Sequence, residues 1–528
     1  RVNSSTALVF APARMPRRSS NLSRESPTAT PRSSNDFKSQ SYDFSALTRL
    51  KPGSEAGVAE YRGSIQVAWV PGHGRGLVAT DRVEVGELLF VNRAFAVGGK
   101  KFLVDATLRK LKTCPKSEYD AFFLLCDGQT TPAELPSLTF ATTQIDSVRS
   151  TAGCQVDRQR VAAILAANAH EVDTLELAAG RGCVAAVSAL FLVGSLVNHS
   201  CRPSTARVIF GDTMFVRAAR QLQPGDEITD CYISVLRPSF ERRQMLKEGF
   251  GISVNDDRLV VEDALFPETL VQPLQERVDC IDGSQDFEAL AADVEQLAWE
   301  RLQWLGDGGC PEAVLSAALR LPPAIDRMLC GTLMSVFVGV ATLASQDGQH
   351  ARAAAAYAQC CAFMEENAPN SAYHVNWALT ALREAKRAKS LHFAHFVRYA
   401  RKVCNCHYGP GVLESLILMR ASNENGPVVT CADLNDAPGI EELPPGVLAC
   451  NINIDHLAGQ ESAIIVTAQT GSAPAAKMEV VCSPCVLQLR VPGFSPTSLV
   501  LPSNVRPSAA GPASLVKRKR LLKIFLPV

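Results

Sequence analysis

Residues 195–232 constrain the fold of this chain more than any other stretch of its sequence. An apolar run at residues 190–197 stops abruptly at residues 198–203, which read Asn-His-Ser-Cys-Arg-Pro. An apolar run closed by polar residues and proline indicates a buried element that opens onto a site, rather than a surface loop. A buried turn with capped polar groups is the alternative, because Asn and Ser also cap helices.

The rest of this stretch predicts β structure. Residues 207–210 and 214–217 are β-prone and are joined by Gly211-Asp212, which is typical of a hairpin. Residues 224–226 read Pro-Gly-Asp, and the alternating residues 228–232 follow, which predicts a turn into a short strand.

The two ends of this stretch resemble the SET-domain protein lysine methyltransferases. Residues 198–203 match the family motif Asn-His-Ser-Cys-x-Pro, and residues 225–232 match Gly-Glu-Glu-Ile/Leu-Thr-x-x-Tyr with Asp at the second position. Nearer the N-terminus, residues 74–77 read Gly-Arg-Gly-Leu and Gly-Glu follows at residues 86–87, as in the N-terminal motif of that family. A lone Gly-Arg-Gly is usually only a turn. The third match therefore depends on its spacing from residue 198, which is that of the family.

Methyl transfer from a sulfonium to an amine is an in-line displacement, so an enzyme mainly supplies alignment and a dry channel. The resemblance implies S-adenosylmethionine as the cofactor, with contacts at Gly74, Arg75, Gly76, Asn168, Asn198, His199 and Tyr232. It also implies that Tyr232 is the catalytic tyrosine, which orients the attacking lone pair, and that Phe250 lines the lysine channel. For Asn168 a helix cap, and for Phe250 a core aromatic, remains the alternative.

The composition bounds the class of protein. The chain has 528 residues, of which 47% are hydrophobic and 20% charged, which suits about three or four globular domains. Lys and Arg number 53, as do Asp and Glu, so the charge gives no global attraction to nucleic acid. The 17 cysteines stand mostly in apolar runs, which is typical of a reducing compartment. We find no apolar run of the ~18 residues that a membrane span needs, so we expect a soluble protein.

The N-terminal part divides into a tail and the predicted SET domain. Residues 1–45 are rich in Ser, Pro and Arg, which predicts disorder or an organelle targeting segment. The SET domain is predicted at residues 46–255, with a largely helical insert at about residues 98–190. The SMYD branch carries a zinc-binding MYND finger there, but the cysteines of this interval, Cys114 and Cys126 among them, are too few for its two zinc sites.

The sequence after Tyr232 departs from the SMYD pattern. An arginine-rich helix at residues 237–246 and Phe250 follow as expected, but residues 254–258 contain no cysteine. SMYD-like proteins place a Cys-x-Cys-x-x-Cys zinc site there, which completes the lysine channel. Zinc is therefore not expected, and either the downstream helices close the channel or the activity is weakened.

The remaining chain predicts two further domains. Residues 256–425 have helical periodicity, with helix pairs at residues 333–364 and 372–404 that resemble the TPR-like tail of the SMYD group. This array either binds peptides or forms the far wall of the substrate cleft. Residues 426–528 read as short strands and resemble the CS-like domain of PIH-family co-chaperone adaptors. The basic run at residues 517–520 is either a nuclear localisation signal or a solvated turn.

The sequence therefore predicts a multidomain α+β protein: a SET β-fold with a helical insert, an α-helical TPR-like array and a C-terminal CS-like β-sandwich. The predicted function is a protein-lysine N-methyltransferase that uses S-adenosylmethionine and binds neither nucleic acid nor membrane. The alternative is a catalytically weak SET scaffold that serves as a chaperone or assembly adaptor. Ser204, where the family usually has asparagine, and the missing cysteines favour that alternative. The expected location is the cytoplasm or nucleus, or an organelle if residues 1–45 are a targeting segment.

Overall fold

The computed structural model of the protein describes most of the chain from residue 44 onward. The described residues are 44–47, 50–51, 53–99, 101–128, 135–136, 156–171, 187–254, 256–281, 286–306, 310–321, 324–423, 429–434, 450–455, 463–469, 479–483, 486–490, 497–500, 514–516 and 521–527. The predictions for residues 1–43 and for the basic run at residues 517–520 lie outside these ranges.

Short, mostly antiparallel strands form the region that was predicted as the SET domain. These strands are β1 (Tyr61–Arg62), β2 (Ile65–Val70), β3 (Gly74–Ala79), β4 (Leu88–Arg93), β5 (Ala96–Gly99), β6 (Ala169–Glu171), β7 (Val187–Leu190), β8 (Asn198–His199), β9 (Thr205–Phe210), β10 (Thr213–Ala218) and β11 (Glu227–Asp230). They form sheets in the orders β1-β4-β10-β9, β2-β3-β11-β8 and β5-β7-β6.

The predicted hairpin and turns are confirmed. Strands β9 and β10 pair antiparallel with Thr213 opposite Phe210, and Gly211 between them has a φ of 61°, which favours glycine. Strand β10 is buried along its whole length, because it lies between β4 and β9. Gly225, with a φ of 89°, turns the chain into β11.

The described part of the insert contains helices, as predicted, together with the small β5-β7-β6 sheet. Helix α1 (Phe44–Leu47) precedes the strands, and the insert contributes α2 (Leu103–Leu111), α3 (Lys116–Phe123) and α4 (Arg158–Asn168). Asp157 immediately precedes helix α4, and its side chain accepts a hydrogen bond from the Gln159 amide and so caps the helix.

From residue 239 to residue 423 the described chain is helical. These helices are α5 (Ser239–Phe250), α6 (Asp257–Leu265), α7 (Glu268–Cys280), α8 (Asp286–Gly306), α9 (Glu312–Arg320), α10 (Ile325–Cys330), α11 (Met334–Gln346), α12 (His350–Asn367), α13 (Ala372–Arg387), α14 (Phe393–Tyr408) and α15 (Leu413–Asn423). The two predicted helix pairs correspond to α11–α12 and α13–α14 and are confirmed as helices. Their likeness to TPR repeats stays a prediction.

One helical segment is longer and more apolar than the sequence suggested. Ile325–Gln346, which runs through α10 and α11, has 22 residues and contains an 18-residue window with a mean hydropathy of 1.8, enough by length and composition alone to cross a membrane. The expectation that no run is long enough was therefore wrong. That window is 61% buried inside the protein, and a core helix of a soluble protein passes the same test.

The helical array packs directly on the β region. Val91 and Phe215 of the sheet belong to the same buried apolar cluster as Val336 and Phe363 of the array. A polar contact accompanies this packing: Arg220 Nη2 donates a hydrogen bond to Glu366 O at 2.7 Å. The two regions therefore share a core.

The C-terminal strands form two antiparallel sheets. The strands are β12 (Cys450–Asp455), β13 (Ala463–Gln469), β14 (Glu479–Ser483), β15 (Val486–Arg490), β16 (Thr497–Val500), β17 (Ser514–Val516) and β18 (Leu521–Pro527). Their orders are β12-β13-β18-β17 and β14-β15-β16. Buried Gln488 donates to Trp299 O of α8 at 3.1 Å, so the smaller sheet contacts the array. The likeness to CS-like domains stays a prediction.

Candidate active site

The predicted cofactor turn and Asn198 lie in direct contact. Strand β11 pairs with β3 on one side and with β8 on the other, which brings the start of β3 beside Asn198. The Asn198 side-chain Nδ2 donates to Arg75 O at 3.1 Å and to Glu227 Oε1 at 2.9 Å. Sheet pairing therefore unites two motifs that are far apart in the sequence.

Gly76 is a glycine because the Asn198 side chain occupies the space beside it. A Cβ at residue 76 would lie 2.6 Å from Asn198 Nδ2 and 3.1 Å from Glu227 Oε1. Gly74 has a different requirement: its φ is 80°, and a Cβ there would meet nothing within 4 Å. The backbone at Gly74 thus borders open space, while the backbone at Gly76 is pressed against the Asn198 amide.

We expect Gly76→Ala to weaken the binding of S-adenosylmethionine about 10-fold or more, because overpacking of this kind costs about 1–3 kcal/mol and displaces the Asn198 amide. The dissociation constant is measured by calorimetry. Gly249→Ala is the control, since a Cβ there, near the end of α5, meets nothing within 4 Å. Unchanged affinity in the Gly76 variant would show that the Asn198 amide does not depend on this contact.

His199 is buried and holds the backbone of Tyr232. Its Nδ1 accepts the Tyr232 N–H at 3.0 Å, and its Nε2 lies 3.4 Å from Cys201 Sγ. Burial lowers the pKa of His199 to about 4, so the ring is neutral with its proton on Nε2. His199 thus positions the tyrosine, and its predicted contact with the cofactor stays a prediction.

The Tyr232 hydroxyl is fixed at the end of this hydrogen-bonded chain. It donates to Val197 O at 2.8 Å, and burial raises the pKa of Tyr232 above its ordinary value. The phenol is therefore neutral, and its only proton is engaged, so its oxygen lone pairs are the groups that it can offer to a substrate.

Phe250 stands against the Tyr232 ring, with the two ring centroids 5.0 Å apart. It is the last residue of α5, which Gly251 ends with a left-handed φ of 68°. Phe250 is half-buried, and neither of the two described apolar clusters includes it. This placement supports a wall beside the tyrosine over the core-aromatic alternative.

Asn168 serves the end of helix α4. Its Nδ2 donates to Ile164 O and to Cys126 O, both at 2.7 Å. Its backbone oxygen accepts a hydrogen bond of 3.3 Å from the Ser195 hydroxyl, which ties the insert to the segment before Asn198. Asn168 is thus the last residue of the helix, whose C-cap is Ala169; its role as a helix cap and its contact with the cofactor both stay predictions.

Comparison with known proteins matches this part of the chain to one family. The family model described as "SET domain" matches residues 74–233. Residues 74–233 are a SET domain. The match spans the glycine turn, both polar motifs and Tyr232.

The relatives are similar over short stretches. Mouse (Mus musculus) "Histone-lysine N-methyltransferase SMYD3" is 36% identical over 69 residues, which is 13% of this chain and 16% of that protein. Human (Homo sapiens) "N-lysine methyltransferase SMYD2" is 35% identical over 76 residues, 14% of this chain and 18% of that protein. "Putative SET domain-containing protein L678" of Acanthamoeba polyphaga mimivirus is 29% identical over 79 residues, 15% and 31%. The chain thus matches less than a third of the length of each of these relatives.

Helix α6 contacts the SET domain at the position where SMYD-like proteins were expected to carry a zinc site. Asp256 caps the helix by accepting the Leu259 N–H at 2.9 Å, and its other oxygen accepts the Cys201 N–H at 2.9 Å. Arg258 donates to Cys201 O at 2.6 Å and to Val235 O at 2.7 Å. One turn of helix therefore fixes both backbone groups of Cys201.

A buried ion cluster supports that turn. Arg258 Nε donates to Glu262 Oε1 at 2.7 Å, and Glu262 also pairs with Arg242. All three side chains are exposed by 1% or less. Burial lowers the pKa of Arg258 to about 9, so it remains charged at neutral pH.

The residues around this cluster do not fit a zinc ion. Residues 251–258 contain no cysteine, so this segment supplies none of the thiolate ligands of the expected Cys-x-Cys-x-x-Cys site. Burial raises the pKa of the Cys201 thiol to about 11. Within the described ranges no group of three or more His, Cys, Asp or Glu side chains is arranged to hold a metal. Helix α6 lies where that zinc site was expected, and whether it closes the lysine channel stays a prediction.

We expect EDTA or 1,10-phenanthroline to leave the melting temperature and the binding of S-adenosylmethionine unchanged, because the contacts around Cys201 are hydrogen bonds and ion pairs. Differential scanning fluorimetry and calorimetry with and without chelator measure this. A chelator-induced fall in either quantity that zinc restores would contradict the assignment.

Sequence reasoning missed several groups at the site. Glu227 lies inside the second motif and contacts Asn198, and its other oxygen is 2.6 Å from His73 Nδ1. Arg207 of β9 and Asp230 of β11 form an ion pair between two different sheets. Cys126, considered only as a zinc ligand, anchors Asn168 through its carbonyl. The motif spacing could have suggested Glu227, but the others depend on tertiary contacts.

Proposed function

We propose that this protein transfers a methyl group from S-adenosylmethionine to the ε-amine of a lysine in a protein substrate. The observation that carries the proposal is the fixed Tyr232 hydroxyl, which is linked through His199 to the strand that bears Asn198. The SET domain match and the names of the relatives support the same reaction class.

The residues around the glycine turn fit this cofactor. Gly74 borders open space, so a ligand can approach its backbone. Both hydrogens of Asn198 Nδ2 are engaged, which leaves Oδ1 as an acceptor for a cationic group. Residues 74–76 and Asn198 would hold the cofactor, with His199 behind them. When bound, the cofactor supplies an electrophilic methyl group.

Tyr232 orients the amine. Because its proton is donated to Val197 O, the phenol oxygen accepts an N–H of the lysine amine and so fixes the direction of the amine lone pair. The rings of Tyr232 and Phe250 exclude water from that position, and a dry environment favours the neutral amine that can attack. Catalysis then consists mainly of alignment.

The test has two stages. Calorimetry measures binding of S-adenosylmethionine to the full chain, and radiolabelled methyl transfer is then followed in cell extract, with mass spectrometry of the acceptor. We expect binding and methylation of a lysine side chain. Binding without transfer would favour the adaptor alternative, in which the helical array and the C-terminal sheets bind a chaperone or another protein. Absence of binding would contradict the proposal.

A further inference from the structure

The Glu227 carboxylate joins two parts of the site that are distant in sequence. Its Oε1 accepts from Asn198 Nδ2 at 2.9 Å, and its Oε2 lies 2.6 Å from His73 Nδ1. The Glu227 side chain is 16% exposed and the His73 side chain 42% exposed. The Glu227 carboxylate therefore lies mostly buried beneath the turn, and the His73 imidazole lies between it and the solvent.

Glu227 determines which way the Asn198 amide faces. An ionised carboxylate only accepts hydrogen bonds, and the other partner of this amide, Arg75 O, is also an acceptor. Both must face the amide NH₂, so the amide oxygen points to the other side. Within the described part of the chain no donor reaches that oxygen, which is the orientation that a cationic ligand requires.

His73 restrains the glycine turn. It lies between Gly72 and Gly74, whose φ values of 79° and 80° are ones that glycine adopts readily. Two glycines make a turn pliable, and the His73 N–H bond to Val70 O at 3.1 Å restrains only its backbone. The contact between the His73 ring and Glu227 ties the same turn to β11.

We propose that His73, Glu227 and Asn198 form a clasp that sets the geometry of the cofactor site, with Glu227 as the positioning residue. This inference rests on the proposed function. The clasp presents the Asn198 oxygen to the cofactor and holds the turn at residues 72–74 against the sheet. Glu227 itself does not touch the reacting atoms.

The test compares Glu227→Ala, Glu227→Gln and His73→Ala, with free S-adenosylmethionine as the probe in calorimetry. Hydrogen bonds to charged groups are stronger than those between neutral groups, so we expect Glu227→Ala to raise the dissociation constant about 10- to 100-fold. Glu227→Gln should stay within about threefold of wild type, because its amide can accept from Asn198 and donate to His73. His73→Ala should weaken binding about three- to tenfold.

A kinetic measurement separates positioning from a general structural role. In the methylation assay, Glu227→Ala should raise the KM for S-adenosylmethionine while kcat at saturating cofactor stays within about threefold, since Tyr232 keeps its own contacts. Glu84→Ala is the matched control, because this carboxylate of the same domain bonds Arg82 and Gln221 instead. It should leave the KM unchanged.

The outcomes are distinguishable. If wild type binds the cofactor and Glu227→Ala binds it equally well, the clasp is wrong and the proposed function stands. If wild type does not bind, the proposed function fails and the clasp with it. Should Glu227→Ala not fold by circular dichroism, His73→Ala on the exposed turn decides, and wild-type affinity in that variant contradicts the clasp.

Discussion

Tyr232→Phe lowers kcat by about 100-fold or more while the affinity for S-adenosylmethionine changes less than about threefold. The substitution removes the oxygen that accepts from the lysine amine and the proton that bonds Val197 O, but it keeps the ring against Phe250. The loss should therefore fall on the aligned reaction rather than on cofactor binding. Initial rates at saturating cofactor and calorimetric titration measure the two effects.

The control for this variant is Tyr373→Phe on helix α13, whose ring is half-exposed and lies tilted against Trp377, with the ring centroids 5.9 Å apart. It removes the same atom from another tyrosine and should leave kcat unchanged. An equal fall in turnover and in cofactor affinity for Tyr232→Phe would count against the alignment role.

Glu262→Ala lowers the free energy of unfolding by about 3–5 kcal/mol, because removing one partner from a buried ion cluster leaves the others uncompensated. Here the remaining groups are the Arg242 and Arg258 guanidinium groups, both excluded from solvent. Urea denaturation followed by circular dichroism gives the difference from wild type. The contacts of Arg258 with Cys201 O should loosen as well, so we also expect weaker activity.

An exposed pair provides the comparison for that variant. Arg277 and Asp293 form a 2.7 Å ion pair in which both side chains are about half exposed, and Asp293→Ala should cost about 0–1 kcal/mol. A loss below about 1 kcal/mol for Glu262→Ala would mean that water reaches the guanidinium groups, contrary to their burial.

The motifs located the centre of the site because they combine polar residues with turn chemistry. The apolar run before Asn198 and the Pro-Gly-Asp turn before β11 are local patterns, and strand pairing then brings Asn198, Gly76 and Tyr232 together. The hairpin around Gly211 follows from the same local signals.

Groups without a local pattern could not be predicted. His73 and Glu227 are separated by 154 residues, so only the folded sheet shows their contact. Contacts to Cys201 were sought through cysteine spacing, whereas Asp256 and Arg258 supply them through a helix cap and backbone hydrogen bonds. The length of Ile325–Gln346 was missed because Gly, Thr and Ser interrupt its apolar residues, so that the segment does not read as one continuous apolar run.

The contact surface between the β region and the helical array is close, so we expect the two to fold as one unit. A Cβ at Gly86 would lie 3.2 Å from Cys406 Cα of helix α14, and Arg217 of β10 donates to Gly86 O at 3.0 Å. Truncating the chain near residue 255 would expose this contact surface to solvent. It would also remove Arg258, which donates a hydrogen bond to Cys201 O. We therefore expect the smallest stable fragment of this protein to extend well past residue 233, where the SET domain match ends, so that residues 74–233 transferred alone to another scaffold would lack part of their core.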